Sequence, residues 1–429
     1  MSALSDIAAE RGIRYFLIAY TDLFGTLRAK LVPVSAIDGM AAEGAGFAGF
    51  ATWFDMTPAD PDVLAVPDPS SLVQLPWKKE VGWLAADPTM GGAMVEQAPR
   101  NVLRRLVDRA ASKGLEMRTG VEPEFFLVHP DGMSVADLAD RQVKPCYDQL
   151  TLMRRYDVIT EISDAMEELG WGPYQNDHED ANGQFEMNWN YGPALQTADR
   201  HAFFKYMVRS VAERHGMRAT FMPKPFTELT GSGCHAHISM WRDGTNVFAG
   251  KGDALGLSPL AYNFVGGLLA HAEALCALTN PVVNSYKRIN APPTVSGATW
   301  SPSTISWGGN NRTHMIRVPG PGRVEYRLAD GAANPYLLQA GLLAAGLDGI
   351  TRALDPGAPV DRNMYVDPTG ARRLPLNLLD AIRAFTASTT LADSLGQPFA
   401  SAYAKLKLVE WDAYMRHLTQ WERDTTLDC

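Results

Sequence analysis

Residues 230–239 read Thr-Gly-Ser-Gly-Cys-His-Ala-His-Ile-Ser, TGSGCHAHIS. His235 and His237 stand two apart after Gly231 and Gly233. In an extended strand such residues share a face, so both imidazoles look into one cavity. The glycines let backbone come close to a ligand. The pair alone leaves two readings open: a metal or ligand site, or two ordinary polar strand residues.

Working outward towards the N-terminus, Arg218–Met222 reads as a strand. Residues 199–215 form an amphipathic helix whose apolar face (Phe203, Phe204, Met207, Val208, Val211, Ala212) is core. Before it stands NDHEDANGQFEMNWN, with Glu179, a bend at Gly183, Glu186, and His178 beside them. Hard divalent cations take oxygen ligands, so such carboxylates suit Mg²⁺ or Mn²⁺; the bland reading is a polar loop. Residues 154–169 read as a helix and 130–150 as irregular. TGVEPEFFLV places Glu122 and Glu124 on one face of an apolar strand. Paired carboxylates repel, and their burial calls for a cation or a proton; a solvated strand edge is the alternative.

The N-terminal part opens with a short helix over 4–12, then a hairpin from Tyr15–Tyr20 and Thr26–Val32 joined by TDLFG. Residues 40–70 read as a long loop or irregular sheet edge. A helix from Arg100 to Gly114 follows the turn-rich 86–99, which sets a domain boundary: 1–98 and 99–429.

On the C-terminal side, a helix spans roughly 258–279, VNSYKRIN carries adjacent Lys287 and Arg288, and 290–310 is a candidate flap. Arg312 and Arg317 follow, then Arg323, Glu325 and Arg327 alternate on one strand face. Arginine suits bidentate carboxylate or phosphate binding; a surface Arg–Glu–Arg ladder is the other reading. Asn334–Pro335 opens an apolar helix to about Ile350, and the remainder is helical, with Trp411 and Trp421 as packing residues. Tyr336–Leu347 is too short and glycine-broken to span a membrane.

The chain has 429 residues, a net charge of −9, 46% hydrophobic and 20% charged residues. That composition is globular and speaks against a nucleic-acid partner. Its four cysteines show no paired spacing, and the N-terminus has no signal pattern, so a soluble, cytoplasmic protein is expected. No GxxxxGK[ST] or GxGxxG occurs, so any nucleotide site is built another way. Five carboxylates and a histidine spaced for two oxygen-rich metal sites, with several arginines, favour metal-assisted phosphoryl transfer.

The order of motifs resembles the glutamine synthetase superfamily: TDLFGTLRAKLVP, PADPDVLAVPD, EPEFF, HEDANGQFE, FMPKP, GSGCHAH, NSYKR, NNRTHMIRVP, RVEYR and NPY. The resemblance covers almost the whole chain. It implies an α+β fold, with an N-terminal β-grasp-like domain and a catalytic domain whose curved antiparallel sheet is flanked by helices. It also implies homo-oligomeric rings, two stacked hexamers, with each active site between subunits. Glu124, Glu179 and Glu186 match the ligands of one divalent metal, Mg²⁺ or Mn²⁺; Glu122, His235 and Glu325 match those of a second. His237, Ser239 and Arg312 match ATP-binding positions, with Tyr191 against the adenine. Arg312 and Arg317 match the arginines facing the transferred phosphoryl group. Gly231, Arg288 and Arg327 match glutamate-binding positions. The implied chemistry is phosphorylation of the glutamate γ-carboxylate by ATP, then amine attack to give a γ-amide.

Two departures bear on the amine. The ammonium-binding Asp-Gly-Ser-Ser run is replaced by GAGFAGFATWFD, where Asp55 is the nearest acid and the candidate proton acceptor. The flap, INAPPTVSGATWSPS, contains no acid. Lost acids and gained apolar groups suit an amine with a carbon end. The chain resembles the branch of γ-glutamylmethylamide synthetases and type III glutamine synthetases. That makes methylamine the expected nucleophile, with ammonia next and bulkier amines third. The intact ligand set speaks against an inactive structural relative. The glutamate-binding arginines speak against the superfamily's guanidine-phosphorylating members. Tyr365 lies near a regulatory tyrosine of some relatives; a plain surface or packing role is expected.

Overall fold

Two sheets carry the chain. The computed structural model describes residues 3–294, 296–297 and 299–429. Met1 and Ser2 of the signal-pattern reading, and Val295 and Ala298 of the flap, lie outside the described residues.

The first sheet starts from the expected hairpin. Tyr15–Thr21 pairs antiparallel with Leu27–Pro33, in register from Tyr15 opposite Pro33 to Thr21 opposite Leu27. Its turn is built on Asp22, whose buried carboxylate accepts from the Phe24 and Thr26 amides and from Arg28 Nε at 2.8 Å. Tyr15–Thr21 also runs parallel to Val81–Met90, which pairs antiparallel with Val63–Pro67. Residues 40–70 are thus more ordered than a long loop. Helix Ile37–Glu43 ends at Gly44 with φ 87°, and Ala45–Phe47 then pairs with Val63–Pro67, so only 48–62 connects strands. Val63 and Ala65 are buried, and a half-buried alternation is what a strand needs.

Among the described residues the second sheet has ten strands, seven of them in the order Trp307–Gly308, Ile316–Gly320, Arg323–Tyr326, Cys234–Arg242, Glu116–Val128, Gln184–Trp189, Pro173–His178. It is antiparallel except that Trp307–Gly308 runs parallel to Ile316–Gly320. Glu116–Val128 is the central strand, facing Cys234–Arg242 on one side and Gln184–Trp189 on the other. Helices Ala194–Arg214 and Pro335–Arg352 are largely buried. The second crosses Pro259–Ala270 through glycines: a Cβ on Gly267 would lie 2.1 Å from the Ala345 carbonyl oxygen, and one on Gly349 2.2 Å from that of Asn263. Only glycine permits that approach. Among the described residues no helix is long and apolar enough to cross a membrane.

Three helical expectations need correction. The 154–169 helix starts at Tyr156, after a separate turn Gln149–Arg154 capped by Asp148. The 258–279 helix breaks at His271, whose Nε2 is tied to Asp348 Oδ2 at 2.8 Å. Trp421 is not a packing residue: it sits on the exposed helix Gln420–Thr426 and is 70% exposed. Trp411 does pack against the core.

Candidate active site

Strand pairing assembles the cavity. His235 lies opposite Glu122, His237 opposite Gly120 and Glu325, and Glu124 opposite Glu186. Period-two alternation turns Glu122, Glu124, His235 and His237 to one side while Cys234, Ala236 and Ile238 enter the core. The cavity, about 390 Å³, is lined by Glu122, Glu124, Glu179, Glu186, His235, His237, Arg312, Arg317 and Arg327.

Glu124, Glu179 and Glu186 each bring an oxygen within 4.8 Å of the others. Glu124 is fixed through Oε2, which accepts from Gln184 Nε2 and the Gly233 amide, each at 2.8 Å. Asn188 Nδ2 holds Glu186 Oε1 at 3.0 Å. Of the other expected set, His235 Nδ1 lies 3.3 Å from Glu122 and 3.6 Å from Glu325. The groupings differ from expectation: among the described residues Glu122 groups with Glu186 and His235, and with His237 and Glu325, while Glu122, His235 and Glu325 do not form a group together. His237, expected near phosphates, reaches Glu122 Oε1 at 2.9 Å.

The donor set fits hard cations. Carboxylate oxygens crowd together, and the buried His235 Nε2 has no hydrogen-bond partner among the described residues. A Cβ on Gly233 would lie 2.9–3.0 Å from Arg288 Nη2, Glu124 Oε1 and His235 Nε2. The glycine therefore keeps the point where these three groups converge open.

Electrostatics divide the cluster. Burial pushes Glu179 up to about 8, helped by the nearby charge of Glu124. Burial, with Glu122, Glu179 and Glu124 around it, holds Glu186 well above the carboxylate range. Burial also acts on Glu122, but hydrogen bonds from His235 and His237 win and take it well below. Glu325 is likewise lowered despite burial, by Arg327 and the two histidines. Arg317 Nη1 and Arg327 Nη1 reach it at 2.8 and 2.7 Å.

Arg288 stands behind Gly231 and Gly233, its Nη1 on the Leu328 carbonyl at 2.8 Å. Gly231 needs no side chain, since a Cβ would meet the Pro223 carbonyl oxygen at 2.3 Å. An adjoining cavity of about 300 Å³ shares Glu122, Tyr174, His237 and Arg323 with the first and contains Tyr191 and Ser239. There the Tyr191 and Trp241 rings are stacked, 6.3 Å between centroids, with the Arg118 guanidinium 4.3 Å from the Trp241 ring centre. Ser239 Oγ accepts from Trp241 Nε1 at 2.9 Å.

Some sequence readings fail here. Asp55 is not among the lining residues of either cavity; Lys405 Nζ holds its carboxylate at 2.7 Å. His178 faces away from Glu179, buried between the Pro145 carbonyl oxygen and Asp140. Alternation along Pro173–His178 sends it to the face opposite Asp177, which does line the cavity. Tyr365 takes the packing alternative: it is half-buried, its hydroxyl donates to the Arg312 carbonyl oxygen at 3.2 Å, and burial raises its pKa although Arg327 and Arg288 lower it. Trp241 and Arg118 were legible in principle. Trp241 continues the 235–237–239 alternation, and Arg118 is the cross-strand partner of Ser239. Gln184, Asp177 and Trp300 had no such signal.

The glutamine synthetase catalytic-domain family model matches residues 96–426. A curated protein named glutamine synthetase from Rhizobium leguminosarum bv. phaseoli is 64% identical over 430 residues, covering 99% of each chain. One named glutamate–methylamine ligase from Methyloversatilis universalis is 41% identical, covering 98% of this chain and 97% of that one. A solved structure described as "GmaS/ADP complex-Conformation 1" superposes with a TM-score of 0.97, at 63% identity and full coverage of both chains. With ten ordered motifs, a convergent carboxylate site and these relatives, the chain belongs to the glutamine synthetase family, and it is a ligase.

Proposed function

We propose that this chain is an ATP-dependent glutamate–amine ligase whose nucleophile is methylamine. The observation that carries the reading is the convergence of buried Glu124, Glu179 and Glu186 beside Glu122, His235 and the arginines. Glu124, Glu179 and Glu186 would hold one Mg²⁺ or Mn²⁺, and Glu122, His235 and Glu325 a second. When bound, such ions neutralise phosphate charge.

The chain's own groups do the rest. Tyr191 and Trp241 offer flat surfaces for adenine, with Ser239 and His237 towards the phosphates. Gly231, Arg288 and Arg327 hold glutamate. A γ-carboxylate oxygen forms a bond to the terminal phosphorus as the bond to ADP breaks, and Arg312 and Arg317 stabilise the transferring charge. Amine nitrogen then attacks the acyl carbon and phosphate leaves, while the amine proton passes to a carboxylate. Among the described residues Asp55 lines neither of these two cavities, so we assign it to a neighbour's. Exposed Phe50 and Trp53 on the same loop suit that contact. The assembly would be two stacked hexamers. We divide the chain functionally at 98/99, after the first sheet ends at Met94. The four unpaired cysteines suit a cytoplasmic setting.

The name of the methylamine-ligating relative and the likeness to GmaS support methylamine. The glutamine synthetase name of the 64% relative favours ammonia as second reading. Phosphate release with glutamate, ATP and Mg²⁺, across series of methylamine and ammonia, decides between them. A kcat/KM ratio above one for methylamine is expected. A ratio below one makes ammonia the nucleophile, and no release with either moves the reading to bulkier amines.

A further inference from the structure

We propose that Trp300 and Asp180 together set which amine this site accepts. Trp300 is the wall the amine meets, and Asp180 the positioning residue that holds that wall. The proposal rests on the ligase reading above.

The segment 289–303 carries no acid of its own. The fold brings one to it from the opposite side: Asp180, directly after Glu179. One oxygen, Oδ2, accepts from Trp300 Nε1 at 2.6 Å, from Thr230 Oγ1 at 3.1 Å and from Ser296 Oγ. Asp180 is only 7% exposed. Its oxygen is thus engaged by Ser296, Trp300 and Thr230. A short hydrogen bond to a carboxylate oxygen is among the stronger neutral-donor contacts a side chain makes.

Trp300 needs such a contact. Its φ is 52°, in the left-handed region that a bulky residue seldom occupies. Strained backbone persists where surrounding contacts over-determine it, and it clusters at functional sites. The indole lines the metal-site cavity together with Glu179, Thr230, Cys146 and Tyr147. A carboxylate open to the cavity would favour ammonium, which offers only N–H donors. Here the carboxylate is spent on the indole N–H, and the cavity gains an aromatic wall. An alkylammonium uses that wall twice, through its charge and through its carbon end.

The test measures kcat/KM for methylamine, ethylamine and ammonia in the full-length enzyme with glutamate, ATP and Mg²⁺. Trp300→Ala is expected to lower the methylamine-to-ammonia ratio by about tenfold or more, the scale of one carbon group in a fitted pocket. Ethylamine should gain on methylamine as the wall recedes. KM for ATP and for glutamate should stay within about twofold, a split that general loosening does not give. Asp180→Asn and Trp300→Phe change little volume and guard against misfolding. Each should lower the ratio by less than Trp300→Ala does. Their double variant should fall no further than Asp180→Asn alone, because Trp300→Phe removes a contact that Asp180→Asn already weakens. A ratio unmoved by Trp300→Ala, additive losses in the double variant, or all three KM values rising in parallel would overturn the proposal alone. A wild type inert towards all three amines would overturn the ligase reading and this proposal with it.

Discussion

Two buried charge clusters in this molecule are built on opposite plans. Around Arg100, every carboxylate meets a guanidinium. Its guanidinium takes Asp199 at both oxygens, 2.9 and 2.8 Å, with Asp87 at 2.5 Å and Asp68 at 2.9 Å. Arg104 also reaches Asp68 and Asp87, at 2.9 and 2.8 Å, and the Tyr336 hydroxyl donates to Asp199. These partners come from the first sheet and from three helices, so the cluster pins the N-terminal region to the rest. In the cavity, Glu124, Glu179 and Glu186 face one another, and among the described residues no arginine or lysine forms an ion pair with them. Burial raises Glu179 and Glu186, and the charge of Glu124 adds to both shifts. A cluster that satisfies itself is structural; one that carries surplus like charge is arranged for a ligand.

The largest effect should come from breaking the paired cluster. Arg100→Met keeps the length, leaves buried Asp199 without its guanidinium, and leaves half-buried Asp68 and Asp87 with Arg104 as the remaining guanidinium. Breaking a buried ion pair costs about 3–5 kcal/mol. The urea midpoint should fall accordingly with little change in slope. A loss under about 1 kcal/mol would mean that the cluster contributes no more than a surface pair.

The unbalanced cluster should answer the other way. Glu186→Gln removes one of the repelling charges at nearly constant volume. Activity should fall about 10²–10³-fold or more, as for other lost transition-state electrostatics. The metal-free melting temperature should hold or rise. In the wild type and in Arg100→Met, Mg²⁺ at about a hundred times its Kd should stabilise by about 2.7 kcal/mol, and in Glu186→Gln by much less. A metal-free Glu186→Gln chain that melts well below wild type would put this cluster in the structural class after all.

Acid separates the two plans further. Burial alone would raise the Asp68 carboxyl, yet hydrogen bonds from Ser70, Arg100 and Arg104 hold it well below the usual range. A depressed folded pKa adds stability that is complete above the unfolded value, about 3.9. That stability is lost as pH falls through the folded value. Wild type should therefore weaken on the acid side below about pH 4, and Arg100→Met should show a shallower acid limb. Chemical denaturation from pH 6 to 3 compares the slopes; parallel limbs would remove Arg100 as the cause.

The contrast also explains what could be read from residues alone. Strand alternation placed Glu122, Glu124, His235 and His237 on one face, and cross-strand register then brought them together. The Arg100 cluster was invisible because its aspartates, Asp68, Asp87 and Asp199, are scattered and carry no period. Asp180 and Trp300 were hidden for the same reason, 120 positions apart and joined only by the fold. Asp177 and Gln184 stood within a quoted stretch, but nothing in its pattern told cavity-facing from core-facing residues. Asp55 was the reverse case: a legible acid in the right motif that the chain does not bring to its own cavity.

Asp55 gives the smallest and most specific expectation. Its partner Lys405 is 68% exposed on the side chain, so the pair adds under about 1 kcal/mol to stability. Its worth would lie in a neighbour's site. Asp55→Asn and Glu186→Gln should each depress amine-dependent turnover. In mixed rings, an Asp55→Asn chain keeps an intact carboxylate cavity, and an adjoining Glu186→Gln chain keeps the acid. Random one-to-one assembly across a head-to-tail interface would rebuild about a quarter of the sites. Co-expression of the two variants with different tags, followed by tandem purification of mixed oligomers, measures that recovery. Activity near a quarter of wild type places Asp55 in trans. Activity no higher than the average of the two pure variants returns the acceptor's role to a carboxylate of the same chain, with Asp177 the first to replace because it already lines the cavity.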